Sequence, residues 1–244
     1  MYYQNIRGLK TKLKDFYCAV LSEEYPIIVL TETWLSDDII STSVFDDRYI
    51  VFRTDRNAIN SVKSHGGGVL IAVNKYLKSS QIMLNDSLVE ELWVKICSES
   101  STLIVGCVYL PPNCDFSKLV SHINSLHFVC DQSCHDNMII IGDFNLPNIE
   151  WKIVDDNFGF VPFDLSDERS SYICDHYASL GFSQFNNFKN NCNHVLDLCF
   201  YNVSTIELQL CNPLIRPDPS HPTFIVIIDD FLACDYSYYF EYFY

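Results

Sequence analysis

The sequence predicts an α/β protein built as one domain. Three observations predict it. Short runs rich in Ile, Val, Leu and aromatic residues recur along the chain, three stretches with helical spacing interrupt them, and no linker, repeat or low-complexity segment divides them. At 244 residues, 48% of them hydrophobic, the chain is long enough to bury most of its apolar surface around one core.

The first helical face comes from Leu9, Leu13, Phe16, Val20 and Leu21. PIIVL, at 26 to 30 within the run 26 to 31, is apolar throughout and predicts a strand covered on both faces. Runs at 49 to 53 and 67 to 73 follow. The second is entered through Gly66, Gly67 and Gly68, which lack a following Lys-Ser/Thr and so read as a tight turn, not a phosphate loop. ELWVKI, in the run 90 to 97, alternates like a half-exposed strand, and TLIVGCVY supplies the strand 102 to 109. Phe116, Leu119, Val120, Ile123 and Leu126 form the second helical face, and MIII in the run 138 to 142 is again a strand buried on both sides. Ile173, Tyr177 and Leu180 give a short third helix with Gly181 as its cap. Runs at 195 to 201, at 206 to 210 (IELQL, half-exposed by alternation) and at 222 to 228 complete about nine strands. The domain is expected to span 1–230, leaving 231–244 as a tail.

Composition narrows the function classes. No apolar run approaches the ~18 residues of a membrane span, and MYYQNIRGLKTKLK at the start carries charges with no apolar stretch behind them. The expectation is an intracellular protein, in nucleus or cytoplasm, with no membrane partner. The eleven cysteines are odd in number and scattered without a CxxC pair, which reads as reduced thiols. Cys130, Cys134 and His135 come nearest to a zinc spacing but read as surface residues. His65, His122, His127, His176 and His194 are read as surface or core residues too. A net charge of −15 opposes binding of nucleic acid, although part of that charge would ligate a cation.

The informative feature is where polar residues fall. Glu32 follows PIIVLT, Tyr109 closes TLIVGCV, Asp143 and Asn145 follow MIIIG, Asp197 lies within VLDLCF, and His221 precedes PTFIVII. Ends of buried strands converge on a shared crevice in α/β sheets, so these groups are expected to meet. The set suits hydrolysis of a phosphate ester. A hard divalent cation takes oxygen ligands such as Glu32, a water nucleophile needs a base such as Asp143, and a phosphoryl group gaining charge needs donors such as Asn145, Tyr109 and His221. Asp197 would orient the imidazole. Singly, each has a structural reading: a surface glutamate, an Asx turn at Asp143 to Asn145, a strand terminator at Tyr109 before Pro111 and Pro112.

These segments also resemble a known family. QNIRGL at 4 to 9, TETWL at 31 to 35, FRTDR at 52 to 56, GGGVLIAV at 66 to 73, VYLPP at 108 to 112, IGDFNLP at 141 to 147, LDLCF at 196 to 200 and SHP at 220 to 222 occur in the order found in endonuclease domains of non-LTR retrotransposons. Those domains belong to the endonuclease/exonuclease/phosphatase superfamily. GDFN is shared across that superfamily; TETWL, the Gly triplet and YLPP point to the retrotransposon branch. The resemblance implies a DNase I-like four-layered α/β sandwich of two mixed sheets with outer helices. It implies a Mg2+-dependent endonuclease, with Mn2+ as the alternative ion, that nicks duplex DNA. By resemblance Glu32 and Asn5 hold the metal, Tyr109 and Asn145 contact the phosphate, Asp143 positions the water, and Asp197 orients the catalytic His221. Arg7, Arg53 and Arg56 are expected to face the substrate. The alternatives are an inactive retrotransposon-derived remnant, or a phosphatase or phosphodiesterase on a small or lipid phosphate.

One departure stands out: the family's Ser-Asp-His is Pro219-Ser220-His221 here, so a carboxylate expected near the metal is missing. The first strand is expected to be barely present, and a reverse transcriptase region belongs to a full-length element but not to these 244 residues.

Overall fold

The computed structural model describes residues 1–228 and 231, apart from 62, 64, 86, 99–100, 134–135, 154–158, 166 and 204–205. Two mixed sheets stack face to face. One has six strands in the order β13 (Glu207–Leu210), β14 (Phe224–Ile227), β1 (Tyr2–Asn5), β2 (Ile27–Thr31), β4 (Val69–Asn74), β3 (Tyr49–Thr54). The other has eight: β5 (Lys78–Ile82), β6 (Glu90–Cys97), β7 (Thr102–Tyr109), β8 (Asn137–Asp143), β12 (Asp197–Tyr201), β11 (Ser183–Gln184), β10 (Phe160–Asp164), β9 (Glu150–Ile153).

Alternation along each strand builds the layers. Tyr3, Ile27, Val29 and Ile71 of the six-stranded sheet pack against Val94, Val105, Ile139 and Ile141 of the other, forming the core between sheets. The residues between them point outward. Tyr2, Ile28, Leu30 and Ala72 meet Phe16 and Val20 of helix α1 (Leu13–Leu21), while Trp93, Ile104, Met138 and Ile140 meet helices α2 (Phe116–Gln132) and α3 (Glu168–Ser179). Helix, sheet, sheet, helices is the expected four-layered sandwich. The continuous apolar runs of β2 and β8 follow from it, because each strand has a core on both faces. Asp167 caps α3 by accepting from the Arg169 and Ser170 N–H groups, and Gly181 follows its C-cap in the left-handed conformation.

Three expectations need correction. ELWVKI is not half-exposed: Glu90 and Glu91 are 1% and 3% exposed, because Arg56 pairs with the first and His122 with the second. Alternation of polar and apolar residues signals solvent only when the polar ones lack buried partners. The first strand is complete, hydrogen-bonded between β14 and β2 near the middle of its sheet. And β5, β9 and β11 add strands that carry too few apolar residues to register as strands, while β10 (FVPFD) is interrupted by Pro162; β5 and β9 stand at sheet edges, where one side needs no partner.

Cys134 and His135 lie outside the described residues, and the nine described cysteines are free thiols. Phe231, first residue of the expected tail, is buried in the core between the sheets; 232–244 lie outside the described residues. No helix among the described residues is long and apolar enough to cross a membrane.

Candidate active site

Strand register sets out the site. Across the eight-stranded sheet Glu90 pairs with Tyr109, Tyr109 with Asp143, and Asp143 with Asp197, so four polar residues from four strands form one row. In the facing sheet Asn5 lies beside Thr31. The two rows meet. Asn5 Nδ2 donates to Asp143 Oδ2 at 3.0 Å, and the Tyr3 hydroxyl donates to Asp197 Oδ1 at 2.6 Å. Within the eight-stranded sheet Gly142 lets β8 lie close beside β7, since a Cβ there would stand 1.9 Å from the Val108 carbonyl oxygen.

His221 enters from the turn that begins at Asp218, its N–H bonded to the Asp218 carbonyl at 3.0 Å. Its Nδ1 bonds to Asp197 Oδ2 at 2.8 Å, which fixes the ring and turns Nε2 toward Asp143 Oδ2 at 3.9 Å. Burial alone would disfavour a charged imidazole at a residue 9% exposed, but Asp197, Asp143 and Asp218 outweigh it and push His221 up to about 9. Asp143 moves the other way for a carboxyl: burial, then the charges of Asp197 and Glu32, hold it well above the usual range despite His221. Ligating atoms of Asp143, Asp197 and His221 all lie within 4.8 Å of one another, a grouping able to take part in a divalent-metal site.

Glu32 completes the acidic set. It follows β2 in the left-handed conformation, φ 55°, and its Oε2 accepts from the Gly67 N–H at 3.1 Å and from the Trp34 indole N–H. Tyr109, 4% exposed, adjoins both acids; burial first, then the charge and hydrogen bonding of Glu32 and the charge of Asp143, hold its phenol protonated far above the usual tyrosine range. Asn145, also left-handed at φ 49°, gives its N–H to Asp143 Oδ1 at 3.2 Å and its amide Nδ2 to the Leu110 carbonyl at 2.9 Å. Asp143 beside Asp197 and Asn5, where burial and then the charges of Asp197 and Glu32 raise Asp143, offers oxygen donors of the kind that suit a hard divalent cation.

Asn5, Glu32, Tyr109, Asp143, Asn145, Asp197 and His221 are thus joined by contacts along the facing ends of the two sheets. The three arginines differ. The Arg7 side chain is 58% exposed and pairs with Asp218 at 3.1 Å. Arg53 is 16% exposed, donating to the Ile39 and Ser36 carbonyls and pairing with Asp55 at 2.8 Å. Arg56, 6% exposed, grips Glu90 at 2.6 and 3.0 Å. Sequence reasoning did not single out Tyr3, which spans the two sheets to Asp197 and also bonds Thr31 Oγ1 at 3.1 Å. Alternation in YYQN could have sent it inward, had that strand been credited.

Comparison with known proteins agrees with this geometry. The endonuclease domain of TRAS1, a telomere-specific non-LTR retrotransposon, matches with a TM-score of 0.65 at 14% identity, covering 93% of this chain and 96% of that one. A 3'-5' exonuclease from Neisseria meningitidis matches at 0.60 and 13%, covering 92% and 97%, and the human nocturnin catalytic domain at 0.53 and 15%, covering 93% of each. No curated relative matches the chain. The family model described as endonuclease-reverse transcriptase matches residues 103–224, half of the chain's 244, the stretch that carries Tyr109, Asp143, Asn145, Asp197 and His221. With that match and that fold, the chain belongs to the endonuclease-reverse transcriptase family, within the endonuclease/exonuclease/phosphatase superfamily.

Proposed function

We propose that this chain hydrolyses phosphodiester bonds as a divalent-metal-dependent endonuclease that nicks duplex DNA, with Mg2+ the expected ion and Mn2+ able to replace it. The observation that carries the reading is the Asp197–His221 pair with Nε2 turned toward Asp143. Asp197 occupies Nδ1 and favours the charged ring, so Nε2 is left to donate to a phosphoryl oxygen as charge develops there. Asp143, held by Asn5 and the Asn145 N–H, is the group able to position and deprotonate an attacking water. The protonated Tyr109 phenol and the Asn145 amide are further donors for the phosphate.

Glu32, with Asn5 Oδ1, would hold the metal. Bound there, the ion would neutralise phosphate charge and offset the mutual repulsion of Glu32, Asp143 and Asp197. Arg7 is the exposed cation placed to meet the DNA backbone; Arg53 and Arg56 serve the scaffold that surrounds the site. With a net charge of −15, binding to DNA should be weak and fall steeply as salt rises. As for the rest of a retrotransposon reading, the family resemblance implies a reverse transcriptase region in a full-length element, and the nuclear or cytoplasmic location is an expectation read from the sequence.

The test is nicking of supercoiled plasmid by purified protein with Mg2+ and with a chelator. Conversion to open circle only with the cation supports the reading. A folded protein that leaves plasmid untouched yet hydrolyses a small phosphate ester would favour the phosphatase alternative, and one inert to both would favour the inactive remnant.

A further inference from the structure

Trp34 and the Gly66–Gly68 turn have no part in the mechanism above, yet both close on Glu32. The chain from Glu32 to Trp34 continues β2 past its last strand residue with two non-glycine residues in the left-handed conformation, φ 55° at Glu32 and 54° at Trp34. Such backbone is unfavourable for residues that carry a Cβ and persists only where its surroundings demand it. Here they do. Gly8 and Leu9 donate to the carbonyls of Glu32 and Thr33 at 2.7 and 2.9 Å, and Thr33 and Trp34 donate to the carbonyls of Gly68 and Gly67 at 3.2 and 2.8 Å. The segment is stitched on both sides.

This backbone path turns two side chains toward each other. The indole N–H of Trp34 and the backbone N–H of Gly67 both donate to one oxygen of Glu32, Oε2. The indole ring lies so close over Gly8 that a Cβ there would stand 2.6 Å from Trp34 Cε3. Gly67 is fixed from behind by the buried Arg56–Glu90 pair; a Cβ on it would fall 2.4 Å from Glu90 Oε1 and 2.5 Å from an Arg56 terminal nitrogen. Trp34 is nonetheless 43% exposed, which is unusual for a large aromatic ring held by the backbone on two sides.

The geometry points to Trp34 and Gly67 as positioning residues that clamp Glu32 by Oε2 and fix the direction in which its carboxylate meets the divalent cation. A carboxylate free to rotate can chelate with both oxygens or swing away; one held by two N–H donors has its remaining lone pairs aimed before the ion arrives. The buried Arg56–Glu90 pair supports Gly67 and so acts one step further back. The inference rests on the proposed function, since it assumes that the cation binds at Glu32.

The test uses Trp34→Phe, which keeps a ring over Gly8 and removes the N–H. Binding of Mn2+ alone is measured by calorimetry or by the loss of free-ion paramagnetic resonance, for wild type, Trp34→Phe and Glu32→Gln, beside the thermal midpoint of each in chelator. The expected result is Mn2+ affinity about 10-fold weaker in Trp34→Phe, on the scale of groups that support metal ligands. Its metal-free midpoint should stay near wild type, and Glu32→Gln should lose the site. Wild-type Mn2+ affinity in a folded Trp34→Phe overturns the clamp while leaving the proposed function standing. No Mn2+ binding by wild type, or equal binding by Glu32→Gln, overturns the assignment of the cation to Glu32, and the clamp with it.

Discussion

His221 and His122 each bring Nδ1 to 2.8 Å from a buried carboxylate, Asp197 in one case and Glu91 in the other, and both carboxylates stand on the same eight-stranded sheet. Asp197 faces the core between the sheets, where Tyr3 reaches it; Glu91 faces the helices, where Ser87 Oγ and Trp93 Nε1 also donate to it at 2.5 and 3.4 Å. What separates the two is the second nitrogen. His122 Nε2, on α2, is taken by the Tyr177 hydroxyl of α3 at 2.9 Å, with none of the side chain exposed, while His221 Nε2 has Asp143 at 3.9 Å and its side chain is 10% exposed. A carboxylate–imidazole pair is therefore common property of scaffold and site. The uncommitted nitrogen marks the one able to do chemistry.

The sharpest way to break this comparison is to substitute both. His221→Gln should lower the nicking rate ~10²-fold or more, as should Asp143→Asn, because under the proposed function each removes a group that acts on the reacting atoms. His122→Gln should leave the activity of folded protein within a few-fold of wild type. Comparable losses from both histidines, at equal folded fraction, would sink the distinction.

Stability should respond in the opposite sense. Removing His122 with Ala leaves Glu91 and the Tyr177 hydroxyl buried and short of a partner, a change that typically costs ~3–5 kcal/mol, whereas His221→Ala strands only Asp197, which keeps the Tyr3 hydroxyl, and should cost less. Denaturant unfolding of the two variants at neutral pH decides it. A smaller loss for His122→Ala than for His221→Ala would show that the buried triad is not the structural one.

The two carboxylate pairs were unequally legible in the sequence, for a physical reason. Asp197 and His221 stand at strand ends inside motifs, where short-range pattern and family resemblance coincide. Glu91, His122 and Tyr177 belong to a strand and two helices, 31 and 55 positions apart between partners, so no local periodicity joins them. Arg56 and Glu90 share that fate: the sequence offers Arg56 as a cation expected to face the substrate and Glu90 as part of a half-exposed strand, whereas the register of β6 with β7 sets Glu90 beside Tyr109 and Arg56 is held there by its ion pair with Glu90. The layers were readable because β2 and β8 are apolar on both faces. Polar strands such as β5 were not, since burial at an edge needs little apolar sequence.

A third expectation concerns pH. The folded value of His221, about 9, lies above the ordinary 6.5, so its bonded charge stabilises the fold fully below pH 6.5 and ceases to do so as pH rises through about 9. The contribution can approach ~3 kcal/mol, since each tenfold gain in proton affinity on folding is worth ~1.4 kcal/mol. Wild type should therefore lose stability relative to His221→Gln between pH 6.5 and about 9 in chelator. A stability gap that stays constant over that window would mean that Asp197 and Asp143 do not hold the ring charged.

The smallest effect is expected at Ser220, where the family places a carboxylate beside the catalytic histidine. Asp218, two residues earlier, is the carboxylate nearest in sequence, but it is already committed: Oδ1 accepts the Ser220 N–H at 2.9 Å and Oδ2 pairs with Arg7 at 3.1 Å. Although burial opposes it, those two partners hold Asp218 below the usual carboxylate range, so it is satisfied where it stands. It is no ready substitute for the missing acid. A serine hydroxyl is a weak ligand for a hard cation, and the site should work at a disadvantage in metal affinity and rate. Ser220→Asp should raise the nicking rate by up to ~10-fold and lower the Mg2+ concentration for half-maximal activity, the scale of groups that support a metal site. The same substitution on an Asp143→Asn background should bring no gain, because the water-positioning group is gone and the two effects cannot add. If Ser220→Asp leaves both rate and Mg2+ requirement unchanged in an active enzyme, position 220 has no part in the metal site, and Glu32 with Asn5 suffices.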